Sequence, residues 1–89
     1  MTHAQLVEEL RAIDGLVDVT GGRSDRPNFH LRRAPYLHFH KSSDGALYAD
    51  VKTGGGPSAD FEPFWASTPT EREELLRRVR NHVRKLRRR

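Results

Sequence analysis

Two short runs of the chain, YLHFH at 36–40 and DGALYADV at 44–51, hold most of the side chains that could do chemistry, and NFHL at 28–31 adds a further histidine. His38 and His40 stand two residues apart, as do Tyr48 and Asp50, so in extended chain each pair points to one side. Two imidazoles and a carboxylate brought together would leave coordination positions open on a divalent metal, as catalytic zinc and non-haem iron sites require. Without a metal, the same groups could form an acid–base pair in which Asp50 orients His38 and raises its pKa.

Whether these groups meet depends on strand register. Ser43-Asp44-Gly45 reads as a three-residue loop with Gly45 in the left-handed conformation, which sets His40 opposite Tyr48, Phe39 opposite Ala49, His38 opposite Asp50 and Leu37 opposite Val51. Arg33-Ala34-Pro35 reads as a second three-residue connection, setting Arg32 opposite Tyr36, Leu31 opposite Leu37, His30 opposite His38 and Phe29 opposite Phe39. A slip of one residue in either hairpin would oppose apolar and charged side chains and expose half the core face. The two registers predict a meander with Phe29, Leu31, Leu37, Phe39, Leu47, Ala49 and Val51 on its core face. The polar face then carries Asn28, His30, Arg32, Tyr36, His38, His40, Tyr48, Asp50 and Lys52. Its centre is the row His30, His38 and Asp50, one per strand, since directly opposed side chains have Cβ atoms about 4.5–5.5 Å apart. His40 and Tyr48 form the periphery of this metal or ligand site.

The elements that position this sheet follow from end signals. Thr2 and Gln5 have capping-box spacing ahead of Leu6, Val7, Leu10 and Ile13, predicting a helix over about 3–14 that Gly15 stops. Val17 to Thr20 alternates as a short strand, and residues 21–27 are turn material. After the flexible run 53–58, Phe61, Phe64 and Trp65 flank Pro63, which predicts an edge strand or an extended lid; residues 54–65 could cover the polar face. Thr68-Pro69-Thr70-Glu71 opens a final helix with the apolar stripe Leu75, Leu76, Val79, Val83 and Leu86. Its Val83 and Leu86 end is expected to project beyond the core and need another surface. The fold class is α+β: an antiparallel meander of three to four strands packed on one face by an N-terminal and a longer C-terminal helix. Residues 1–86 form the domain and 87–89 a basic end.

Composition narrows the function classes. The chain has 89 residues, 35% hydrophobic and 31% charged, within the globular range but with a thin core. The absence of cysteine excludes a disulfide framework and a thiolate zinc site, and fits a reducing compartment. MTHAQLVEEL lacks the basic and apolar regions of a signal peptide and no apolar run approaches ~18 residues, so a soluble cytoplasmic protein without membrane contact is expected. The net charge of +4 divides unevenly: residues 77–89 hold eight bases and no acid, whereas residues 1–76 hold eight bases against twelve acids, giving +8 and −4. Arg77, Arg80, Arg84, Lys85, Arg87, Arg88 and Arg89 could therefore contact nucleic acid nonspecifically. The same helix could engage a protein partner, with the acidic body and basic tail permitting monomer or weak homo-oligomer.

The order helix, strands, helix is broadly similar to a double-stranded-RNA-binding domain, but Glu71, Glu73 and Glu74 stand where that family has a lysine-rich helix start. RPNFHLRRAPYLHFH followed by DGALYADV, with EREELLRRV downstream, resembles small bacterial, often actinobacterial, proteins of a domain-of-unknown-function type. It is also distantly similar to the luciferase-associated family, which has a like succession of strands with histidines. The resemblance spans about residues 27–83 and implies an α+β architecture, without an activity or a catalytic residue to transfer. The function expected from the sequence is binding through the His/Tyr/Asp-rich sheet face, with nucleic-acid binding and a metal-binding or metal-dependent enzymatic role as alternatives.

Overall fold

Thr2 and Gln5 open the first helix, α1 (His3–Arg11), by exchanging bonds: the Gln5 amide donates to Thr2 Oγ1 at 3.1 Å and the Thr2 amide to Gln5 Oε1 at 2.8 Å. The helix is capped at Ala12, short of the expected end near residue 14, because the chain already turns there. The Leu16 amide donates to the Ile13 carbonyl at 3.2 Å, and Gly15 takes a φ of 98° that few other residues adopt. The computed structural model describes residues 1–54 and 61–87.

Five antiparallel strands follow in chain order: β1 (Leu16–Asp18), β2 (Asn28–Leu31), β3 (Ala34–Lys41), β4 (Leu47–Lys52) and β5 (Phe61–Trp65). The α+β meander is as read from the sequence, with both flanking segments added to it as edge strands. Pro63 is tolerated in β5 because an edge strand need not donate on its outer side. Helix α2 (Pro69–Arg87) ends the described chain, and its start is a second capping box. Glu71 accepts from the Thr68 amide at 3.0 Å and donates its own amide to Thr68 Oγ1 at 3.1 Å.

Both helices lie on one face of the sheet. Leu6, Val7 and Leu10 of α1 and Leu75, Leu76, Val79 and Val83 of α2 meet Phe29, Leu37, Phe39, Ala49 and Val51 in one buried cluster. Each Val, Leu or Phe side chain among them contributes roughly 1.5–3 kcal/mol when fully withdrawn from water. The end of α2 does not project: Val83 is 2% exposed, Arg80 and Arg87 pair with Glu9 and Asp14 at 2.5 and 2.8 Å, and Arg32 donates to the Leu86 carbonyl at 2.5 Å. With five strands and α1 beside it, the body seats the stripe as far as Val83, and Leu86 is half-buried outside the core cluster. No helix among the described residues is long and apolar enough to cross a membrane.

The two central hairpins differ in how they follow the sequence. The β3–β4 register is the one expected, with His38 opposite Asp50 and His40 opposite Tyr48, and Gly45 at φ 89° closes the loop. The β2–β3 hairpin instead turns through Arg32 and Arg33 alone, both at positive φ (55° and 66°), which suits the twist of a two-residue hairpin. Phe29 then faces Leu37 and His30 faces Pro35, so Tyr36 is an extra residue bulged out of the ladder. The bulge re-aims Tyr36 from the polar face to the helix side, where its hydroxyl is hydrogen-bonded to His82 Nδ1 at 2.8 Å.

Candidate metal centre

Because helices cover one face only, the residues that alternate with core positions on β3, β4 and β5 share the open one. They are His38 and His40, then Tyr48, Asp50 and Lys52, and finally Phe61, Pro63 and Trp65 directly opposite the last three. At the centre, His38, His40 and Asp50 each offer one donor atom, and the three atoms lie within 4.8 Å of one another. His40 Nε2 is 3.1 Å from Asp50 Oδ2, but off the line a hydrogen bond needs. His38 Nδ1 and His40 Nε2 are shielded from solvent and have no hydrogen-bond partner among the described residues.

Aromatic rings hold the two imidazoles in place. The His38 and His40 rings are 4.9 Å apart; Phe61 meets His38 edge-on at 5.0 Å, and Tyr48 stacks on His40 at 5.1 Å and 25°. Burial lowers the pKa of His38, the like charge of His40 lowers it further, and Asp50 offsets this only in part. His38 is therefore neutral near pH 7, with a lone pair available to a cation. Asp50 does raise the His38 pKa, as the acid–base pairing read from the sequence expects, but burial and His40 outweigh it.

The geometry brings together His38, His40 and Asp50 rather than the expected row His30, His38 and Asp50. The bulge at Tyr36 shifts β2, so Asn28 rather than His30 faces His38, and His30 sits between Val17 and Pro35. Tyr36 and Arg32 leave the polar face, one for the core side and the other for the turn. The proposed cover does not lie over the site where it is described: residues 61–65 enter the sheet as its edge, and 55–60 fall outside the described residues. Phe61 and Trp65 flank the centre instead, a placement their period-two spacing with Pro63 could have signalled.

The cations named for nucleic acid fare differently. Arg77 pairs with Glu74 at 2.5 Å, Arg80 with Glu9 and Arg87 with Asp14, which leaves Arg84 and Lys85 without an ion-pair partner among the described residues. Arg88 and Arg89 lie outside the described residues. A cavity of about 450 Å³ lies between α1 and α2 rather than on the sheet. Its rim is formed by the same Glu9–Arg80 and Asp14–Arg87 pairs, whose charges already satisfy one another, so chemistry is better placed at the bare nitrogens of the open face. No family model, curated protein or solved structure matches the chain.

Proposed function

We propose that the open sheet face is a binding surface organised around a divalent transition metal held by His38, His40 and Asp50. The observation that carries this reading is the pair of solvent-shielded imidazole nitrogens without a hydrogen bond, on two residues that with Asp50 bring one donor atom each within 4.8 Å of one another. A buried polar atom left without a hydrogen bond costs about 1–3 kcal/mol, so two on neighbouring side chains favour an occupant. Imidazole nitrogen suits zinc, copper, nickel and iron, and one carboxylate with two histidines leaves positions for an exogenous ligand. A chain without cysteine fits a reducing, cytoplasmic setting.

Nucleic-acid binding through α2 is less well supported, because three of its five described candidate cations are engaged by acids of the same chain. Calorimetric titration with zinc or cobalt(II) tests the metal reading. One equivalent is expected to bind. His40→Ala is expected to weaken binding at least ~10-fold, since loss of mere outer-shell partners already costs that much. Equal heats for wild type and variant would remove the reading.

A further inference from the structure

We infer that the ligand completing this metal centre is a small aromatic carboxylate, its carboxylate on the open metal positions and its ring in the dent formed by Tyr48, Pro63 and Trp65. The inference rests on the metal reading above and names what the loaded site would take. Trp65 is 55% exposed, although its indole is among the side chains that gain most from burial. With Tyr48 and Pro63 it lines a mainly apolar depression of about 230 Å³ on the open face, the Tyr48 and Trp65 rings standing edge-to-face at 5.8 Å. No charged side chain lines this depression among the described residues.

The dent and the donor cluster are adjacent. Tyr48 forms the wall of the dent and also stacks on His40 at 5.1 Å. Along β4, Tyr48 and Asp50 are two residues apart on one face, a separation of about 7 Å. That matches one aromatic ring with a carboxylate attached. Charge favours the same class. A divalent ion held by one carboxylate and two neutral imidazoles keeps one positive charge, and Lys52 adds another on the same face. A monoanionic ligand is favoured by both.

Visible absorption of the cobalt(II)-loaded protein, titrated with benzoate and separately with acetate, tests the inference. Benzoate is expected to bind about 5–10-fold tighter than acetate, the gain typical of one added aromatic contact. Trp65→Ala is expected to bring benzoate to the acetate level while cobalt affinity stays unchanged. Trp65→Leu, which keeps bulk on the edge strand without the ring, is expected to do the same. If cobalt binds but benzoate and acetate are equal, or if both variants preserve the difference, the inference is overturned and the metal reading survives. Failure of cobalt itself to bind overturns both.

Discussion

On the helix-covered side of the sheet, polar groups come with partners. Asp18 accepts from Arg11 Nε at 2.9 Å and from the Thr20 amide at 2.8 Å, and the buried Tyr36 hydroxyl reaches His82. Even the two bare nitrogens found there, His3 Nδ1 and Arg72 Nε, belong to anchored side chains: His3 bonds the Asp25 carbonyl through Nε2, and Arg72 donates to the Met1 and Ser67 carbonyls. On the open side, the His38 and His40 side chains make no hydrogen bond among the described residues, although both bare nitrogens are shielded from water. On the covered face the side chains with bare nitrogens are anchored through their other atoms, whereas those of His38 and His40 are not, which is the gap that the proposed metal would fill. Stability and binding should therefore separate by face.

The largest separation is expected between Phe29 and His38. Phe29→Ala empties the centre of the core and should cost about 3–5 kcal/mol in chemical denaturation, without altering metal affinity of the folded fraction. His38→Ala should change stability by about 1 kcal/mol or less, because removing an unpartnered polar group offsets the lost packing, yet it should remove metal binding. Comparable losses of stability from the two would break the division between faces.

A smaller effect probes the covered side. Asp18→Asn is expected to cost about 1–2 kcal/mol through its charge-assisted bonds. Burial pushes the Asp18 carboxyl up, but bonds from Thr20 and Arg11 outweigh it, so its pKa in the folded state is lowered. A lowered folded value means that its contribution is complete above the unfolded pKa near ~4 and fades as pH falls toward the folded one. Stability of wild type and variant should thus converge in acid, with the full difference reached by about pH 5 and constant above it. On the open side, metal affinity should also fall in acid, as protons displace the ion from both imidazoles.

How much of this the sequence disclosed varies between the two central hairpins. The β3–β4 hairpin was fully legible, since Gly45 identifies the loop and each opposed pair agrees in character. The β2–β3 hairpin was not. Arg32-Arg33 lacks the glycine or asparagine that usually marks left-handed turn positions, and the Arg32 guanidinium at the α2 carboxyl end is a compensation visible only in three dimensions. The bulged Tyr36 finds its hydrogen-bond partner in His82, 46 residues away, which no local pattern announces. Hence a candidate cluster was readable from His38, His40 and Asp50 in HFH and DV, while its geometry replaced His30 with His40.

Tyr36→Phe gives the smallest expected effect, about 1 kcal/mol, from the single bond to His82. Burial holds the Tyr36 hydroxyl well above its usual pKa, so this loss should be constant across the neutral pH range. A marked pH dependence would show that His82, not Tyr36, sets the strength of this contact.

The most direct test is a zinc titration followed through the histidine ring signals by NMR. His38 and His40 should shift together and saturate at one equivalent, with His3, His30 and His82 unmoved. Movement of His30 with His38, or uniform weak shifts of all five histidines, would contradict a centre built from His38, His40 and Asp50.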